Sequence, residues 1–266
     1  MLNTGTNIKP STHGLLTTVA YKLGPKGECV YALEGAVAVC GSAVQWLRDQ
    51  LKIIREAPET EKFAAKDNGG AYFVPAFSGL FAPRWDASAR GIFCGLTAFN
   101  DKSHFIRATL ESVAYQAREV IDAMGKDSGV SLKQIKVDGG MTANSLVMQF
   151  QSDIINTPVT RPQIAETTAL GAAYAAGLAV GVWRDLAEVR SKWAVEKQWR
   201  PEMSDEKRTK YWKEWNKAVS KSINWEGEGR PEKGNGRGWT ILGTIGLSVA
   251  AGALGWAIGT KKIKIN

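Results

Sequence analysis

The stretch Val-Asp-Gly-Gly-Met-Thr-Ala-Asn at residues 137–144 decides the fold of this 266-residue chain. Alternating apolar residues over 134–137 predict a β-strand before it, and apolar residues at helical spacing predict a helix over 145–155 after it. Glycines between a strand and a helix allow positive φ angles and close approach, and a helix N-terminus attracts anions. The stretch therefore predicts a candidate phosphate-binding turn. A structural turn that binds nothing is the alternative that the motif alone leaves open.

Working outward from this turn, strands and helices alternate along the chain. The patterns predict strands at residues 14–22, 29–33, 71–76 and 157–161, and helices at 35–51, 56–66, 103–128, 168–180 and 204–225. A four-residue turn at 24–27 makes the first two of these strands a hairpin. Because strands alternate with helices through the middle of the chain, we expect an α/β fold.

The charge and the cysteines narrow the classes of function. The net charge is +8, yet the basic residues are mixed with acidic ones, so we expect a solvated surface and no nucleic-acid partner. The three cysteines have no paired spacing, which indicates reduced thiols. The two histidines lie far apart, and no spacing of acidic residues resembles a metal-binding loop, so no metal ligands are predicted.

The C-terminal part has a different composition. Residues 226–238 are rich in glycine and charge, which predicts a flexible linker. Residues 239–259 carry no charge, and as a helix they would be about 31 Å long, close to the thickness of the hydrocarbon core of a bilayer. Residues 260–266 form a basic tail. A transmembrane anchor over 239–259 is therefore expected, with a buried helix as the alternative.

Several long stretches carry a resemblance to a known family. They are Tyr-Ala-Leu-Glu-Gly-Ala at 31–36, Pro-Ala-Phe-Ser-Gly-Leu at 75–80, Gly-Ile-Phe-Cys-Gly-Leu at 91–96, His-Phe-Ile-Arg-Ala-Thr-Leu-Glu at 104–111, the turn at 137–140 and Glu-Thr-Thr-Ala-Leu-Gly-Ala-Ala at 166–173. Together they resemble the glycerol kinases of the FGGY carbohydrate kinase family over about residues 1–225. The animal forms are the most similar, because they also carry an apolar C-terminal tail.

The resemblance implies a fold, a reaction and a set of contacts. It implies two ribonuclease H-like (actin/hexokinase-like ATPase) domains, each a mixed sheet with flanking helices, with ATP, Mg²⁺ and glycerol between them. The chain matches only the second, nucleotide-binding domain, over residues 1–225. The nucleotide contacts of the family fall on Gly41, Gln45, Gly140 and Asn144. The resemblance and the tail together imply a homo-oligomer in the full-length protein, and a location at the mitochondrial outer membrane facing the cytosol, and in the cytoplasm.

The chain also departs from the family. The catalytic aspartate of a Gly-Asp-Gln motif and the glycerol-binding residues belong to the first domain, so this chain is expected to contain no catalytic residue and to be inactive alone. Asp138 is expected to hold the turn, and Arg84 stands where the family has an aromatic residue. The expected function is the C-terminal half of a kinase that converts ATP and glycerol to sn-glycerol 3-phosphate. A non-catalytic nucleotide-binding or scaffold protein at a membrane is the alternative.

Overall fold

The computed structural model describes residues 1–227, and its named elements lie within the unit Met1–Glu226. The strands are β1 (Leu2–Gly5), β2 (Leu16–Lys22), β3 (Cys29–Glu34), β4 (Tyr72–Val74), β5 (Ile92–Cys94), β6 (Ile135–Lys136), β7 (Val159–Pro162) and β8 (Val195–Trp199). The α-helices are α1 (Gly41–Asp49), α2 (Glu59–Phe63), α3 (Lys102–Ser128), α4 (Ser145–Ile155), α5 (Thr167–Ala179), α6 (Leu186–Ser191) and α7 (Asp205–Ser222). A 3₁₀ turn, Gly140–Ala143, lies between β6 and α4.

The described strands form three small sheets. In the first, β3 pairs antiparallel with both β1 and β2. In the second, β4 pairs antiparallel with β5. In the third, β7 is the middle strand, parallel to β6 and antiparallel to β8. The predicted α/β fold with a mixed sheet and flanking helices is confirmed.

Helix α3 is the longest element and has a strong signal at each end. The Asp101 carboxylate accepts a hydrogen bond from the Ser103 backbone N–H at 2.9 Å, and His104 completes a capping box. Gly129 ends the helix in the left-handed conformation, at φ 69°. The prediction that Ser103 starts this helix was wrong, because the carboxylate two residues earlier supplies the cap; the predicted end is confirmed.

The apolar core surrounds α3 on several sides. Tyr115 of α3 stacks on Trp215 of α7, with ring centroids 4.8 Å apart, and meets Phe150 of α4 edge-on at 5.3 Å. All three side chains are buried, as are Leu47 of α1 and Leu33 of β3 on other sides of the helix. Large buried side chains of this kind contribute about 1.5–3 kcal/mol each. Their packing fixes α1, α4 and α7 around α3.

The structure corrects several predicted boundaries. Helix α1 begins at Gly41 and not at residue 35, and residues 35–40 form no regular element. Gly35 passes so close to α3 that a Cβ there would lie 2.3 Å from the Val120 side chain. Strands β5 and β8 and helix α6 were not predicted. β8 carries Glu196 and Lys197 and is held by pairing with β7. Its charged residues leave it without the apolar pattern that predicts a strand.

The membrane prediction concerns another part of the chain. Within residues 1–227, no helix has both the length and the apolar character to cross a membrane. The predicted anchor at 239–259 lies outside the described residues, as do the basic tail and most of the predicted linker.

Candidate functional site

The Gly139–Gly140 turn has a backbone that glycine alone adopts readily. Gly139 has φ 81° and ψ 173°, a region that is closed to other residues without strain. Its N–H donates to the Ala165 carbonyl at 3.1 Å, and its own carbonyl accepts from the Thr142 hydroxyl at 2.7 Å. Gly140 then starts a 3₁₀ turn, Gly140–Ala143, and α4 begins at Ser145, where the sequence predicted its start. The 3₁₀ turn between the glycines and the helix was not predicted.

Asn144 joins the turn to α4 and to a distant segment. Its Oδ1 accepts from the Val147 N–H at 3.0 Å and so caps α4, while its Nδ2 donates to the Thr60 hydroxyl at 3.1 Å. The adjacent Ser145 N–H donates to Glu61 Oε2 at 3.2 Å. A carboxylate therefore already occupies the positive end of α4, as the helix dipole favours.

Helix α1 starts directly beside this turn. Gly41 is its first residue, and a Cβ at Gly41 would lie 3.6 Å from the Met141 side chain. Gln45 lies one turn further along α1 and is exposed. The structure thus brings Gly41 next to the turn that contains Gly140, although the two are almost a hundred residues apart in the chain.

A cavity of about 220 Å³ lies between these elements. Of the four predicted site residues, Gly140 and Asn144 line it, whereas Gly41 and Gln45 do not, and α1 contributes Val44. Its walls combine apolar groups with a few polar ones: the α2 segment contributes Ala57, Pro58, Thr60 and Glu61, and the 3₁₀ turn contributes Met141 and Ala143. Such a mixture suits a flat, largely apolar group with a hydrogen-bonding edge.

Asp138 links the glycine turn to helix α5. It accepts a hydrogen bond from the hydroxyl of Thr167, the first residue of α5. Both residues line a second cavity, of about 350 Å³, which α5 borders with Leu170 and Tyr174. This contact supports the structural role expected for Asp138.

Arg84 forms an ion pair with a buried carboxylate, which the family resemblance did not predict. Its guanidinium pairs with Glu119 of α3, with Nη2 and Oε1 2.9 Å apart, and the Glu119 side chain is 7% exposed. The indole N–H of Trp215 donates to the same Glu119 oxygen at 2.7 Å. A buried charge with two such partners is well compensated. Arg84 therefore fastens the loop at 75–86 to α3 and α7.

Sequence reasoning missed Thr60, Glu61 and Glu119. Thr60 and Glu61 lie in a short polar segment that pairs with the turn only in the folded chain, so no local spacing could reveal them. An acidic residue on the apolar face of α3 was the available signal for Glu119. In the part of the chain that the structure describes, no group of three or more His, Cys, Asp or Glu residues could hold a metal ion.

Comparison with curated proteins shows close relatives. The chain is 60% identical over 227 residues to a glycerol kinase of Saccharopolyspora erythraea, covering 85% of this chain and 45% of that protein. It is 58% identical over 228 residues to a glycerol kinase of Brucella anthropi, again covering 85% and 45%. The chain thus spans less than half the length of the curated relatives that it matches.

Solved structures and a family comparison give the same result. A crystal structure of Plasmodium falciparum glycerol kinase with ADP matches with a TM-score of 0.77 and 41% identity, covering 83% of this chain and 44% of that one. A gluconate kinase from Lactobacillus acidophilus, at 23% identity and a TM-score of 0.65, shares the fold. Residues 1–180 match the FGGY family of carbohydrate kinases, C-terminal domain. The chain therefore belongs to the FGGY family of carbohydrate kinases.

Proposed function

We propose that this chain is the nucleotide-binding half of a glycerol kinase, which transfers the γ-phosphate of ATP to glycerol and yields sn-glycerol 3-phosphate. One observation carries the proposal. Gly140 and Asn144 line one cavity beside Gly41, in a chain 60% identical to a protein named glycerol kinase. The Plasmodium falciparum glycerol kinase, which is similar in structure, was solved with ADP, and this supports an adenine nucleotide as the ligand.

The cavity suits the adenosine end of ATP. Gly140 has no side chain, and no atom lies within 4 Å of where its Cβ would be, so a ligand can approach the backbone closely. Asn144 and Thr60 supply the polar edge, and Val44 and Met141 supply apolar faces. Gln45 is exposed on α1 next to Val44, and its contact with a bound ligand is proposed from the family resemblance alone.

The chemistry of transfer needs further groups. Phosphoryl transfer depends on positioning, on charge neutralisation by Mg²⁺ and on a carboxylate that accepts the hydroxyl proton. Within residues 1–227 the acidic residues form no metal cluster, and none is assigned as the base. We therefore assign nucleotide binding to this chain, and assign the base and the glycerol contacts to the other half of the kinase.

ATP titration of the purified full chain tests the assignment. Gly140→Val adds a branched side chain at a cavity-lining position where a Cβ meets no protein atom within 4 Å, and we expect ATP affinity to fall about tenfold or more, which corresponds to at least about 1.4 kcal/mol. Gly125→Val is the matched control, because a Cβ at Gly125 of α3 also meets no atom within 4 Å and this residue does not line the cavity. Equal ATP affinities for Gly140→Val and the unchanged chain would contradict the site.

Turnover separates the proposal from the scaffold alternative. The chain alone is expected to form no sn-glycerol 3-phosphate from ATP and glycerol. The remaining half of the Saccharopolyspora erythraea kinase is then added to the chain. Product should form if this chain is a kinase half, and no product should form if it is a scaffold that only binds nucleotide. Product from the chain alone would show that a base exists within it.

The membrane anchor is supported by sequence only. Residues 239–259 carry no charge, and Trp239 and Trp256 lie near the two ends, as interfacial aromatics do. The proposed location is the mitochondrial outer membrane facing the cytosol, with a cytoplasmic pool, and the proposed state of the full-length kinase is a homo-oligomer. A fluorescent protein fused to residues 226–266 should label mitochondria, and diffuse fluorescence would contradict the anchor. Sedimentation of the full-length kinase tests the oligomer.

A further inference from the structure

Arg161 of β7 is held in place by three neighbours. Its guanidinium forms a two-point ion pair with Glu196 of β8, in which Nε and Oε2 are 2.9 Å apart and Nη2 and Oε1 are 2.8 Å apart. The remaining nitrogen, Nη1, donates to the Thr142 carbonyl at 2.6 Å. The ring of Trp199 lies 5.6 Å from the guanidinium carbon. Because the planar guanidinium presents its donors in a fixed arrangement, these contacts together fix its orientation.

The Thr142 carbonyl belongs to the 3₁₀ turn that lines the cavity of about 220 Å³. Thr142 is buried, and both its N–H and its hydroxyl donate to the Gly139 carbonyl, three residues earlier. These two bonds lie inside the turn. The bond from Arg161 comes from a strand 19 residues later in the chain, so it connects the turn to the mixed sheet. Loss of the guanidinium would leave the carbonyl of this buried residue without its donor, which favours rearrangement of the turn.

The turn has little stiffness of its own. A Cβ at Gly139 or at Gly140 would meet no atom within 4 Å, so packing confines neither residue. Glycine also loses more conformational freedom on ordering than any other residue. If the turn became ordered only when a ligand binds, that ordering would lower the affinity, and a contact that orders the turn beforehand raises it. The bond from Arg161 to Thr142 is such a contact.

A second charged residue of β8 holds the end of the same stretch. Lys197 Nζ donates at 3.0 Å to the hydroxyl of Ser145, the first residue of α4. Glu196 therefore acts on the turn through Arg161, and Lys197 acts on the start of the helix that follows the turn. Both residues lie in the strand that pairs with β7. The charges of β8 are thus directed at the stretch that lines the cavity and not only at solvent.

We propose that Arg161 is a positioning residue for the nucleotide, which acts by ordering the 3₁₀ turn before the nucleotide binds. The inference rests on the proposed assignment of the cavity of about 220 Å³ to the adenosine end of ATP. Arg161 does not line this cavity, so its effect passes through the Thr142 carbonyl rather than through contact with the ligand. The guanidinium should therefore strengthen the binding of adenosine and of ATP by the same factor.

Titration of the full chain with adenosine and with ATP tests the inference. Arg161→Met removes the donors and keeps an unbranched side chain, and we expect both affinities to fall by about tenfold. Arg184→Met is the matched control, because it removes an exposed arginine that also pairs with a carboxylate, that of Glu188, and it should leave both affinities unchanged. Arg161→Lys keeps the charge without the planar arrangement of donors and should recover only part of the loss.

Hydrogen exchange of the chain without ligand gives a second readout. The Thr142 and Asn144 amides bond to carbonyls of Gly139 and Met141. They should exchange faster in Arg161→Met than in the unchanged chain, because the turn opens more often. Amides in the middle of α3 should keep their rates, which separates ordering of the turn from a general loss of stability.

The outcomes distinguish the positioning role from the nucleotide assignment. Equal affinities or equal turn exchange in Arg161→Met and the unchanged chain would overturn the positioning role alone. A fall in ATP affinity with unchanged adenosine affinity would also overturn it, because the guanidinium would then contact the phosphates. Failure of the unchanged chain to bind either ligand would instead overturn the nucleotide assignment on which the inference rests.

Discussion

Helices α3 and α5 are both rich in apolar and small residues, yet the protein uses them differently. α3 is 27 residues long and buries side chains from His104 to Ser128. α5 is 13 residues long and carries no charged residue, so it is more apolar in sequence than α3, but in the described part of the chain it buries only Gly177. The comparison shows that apolar sequence predicts burial only where a partner surface is available. For α3, helices α1, α4 and α7 provide that surface. In contrast, α5 borders the cavity of about 350 Å³ beside β6.

The largest expected difference concerns a charge inside α3. Glu111 has a side chain that is 1% exposed and pairs with Arg107, with Oε1 and Nε 2.6 Å apart. Arg107→Met leaves this carboxylate buried without its cation, and we expect the free energy of unfolding to fall by about 3–5 kcal/mol. Urea denaturation of the full chain measures this. No substitution other than proline at an exposed α5 position should approach that loss.

The pH dependence of this variant sharpens the comparison. Burial raises the pKa of Glu111 above its ordinary value of 4.5. Because the pKa of Glu111 is higher in the folded than in the unfolded state, the folded protein keeps the proton to higher pH. The free energy of unfolding therefore falls as pH rises above 4.5. The loss in Arg107→Met should therefore be larger at pH 8 than at pH 5. The double variant Arg107→Met/Glu111→Leu should recover most of the stability, and a double variant no better than the single one would contradict this reasoning.

A matched pair of substitutions compares the two helices directly. Ala114 of α3 is fully buried, whereas Ala172 of α5 is exposed. We expect Ala114→Leu to cost about 1–3 kcal/mol by overpacking, and Ala172→Leu to change stability by less than about 0.5 kcal/mol. Thermal or urea unfolding measures both variants. Similar costs at the two positions would mean that another part of the chain covers α5.

The smallest expected effect concerns the N-terminus of α3. The hydrogen bond from the Ser103 hydroxyl is the main reason that the pKa of Asp101 is lowered to about 2. A lowered pKa means that this stabilisation is present above pH 3.8 and is lost as pH falls towards 2. Asp101→Asn keeps a capping oxygen and does not titrate. Denaturation midpoints between pH 5 and pH 2 should therefore fall further for the unchanged chain than for Asp101→Asn, and parallel curves would contradict the role of the charge.

Local signals account for what the sequence predicted well. Helix α4 was predicted at residues 145–155 and is observed at Ser145–Ile155, because Asn144 caps its start and Asn156 ends it at φ 58°. The glycine turn was predicted because strand, glycines and helix follow each other in the chain. Signals contained within a dozen residues are visible without a structure.

Contacts over long separations account for what was missed. Asn144 and Thr60 are 84 residues apart, and the sequence around neither residue predicts a contact with the other. β8 exists because β7 pairs with it, since its own composition is charged. The predicted contacts Gly41 and Gln45 came from the family resemblance, and their part in binding stays a prediction.

One side-chain contact of α3 has a consequence for how distant events are linked. Gln116 donates to the Val39 carbonyl at 3.1 Å, two residues before Gly41. Because α3 is a single helix of about 40 Å that also packs against α4, a displacement of α3 would reach the start of α1 through this hydrogen bond. The position of Gly41, beside the turn that lines the cavity, would then depend mechanically on how α3 is packed.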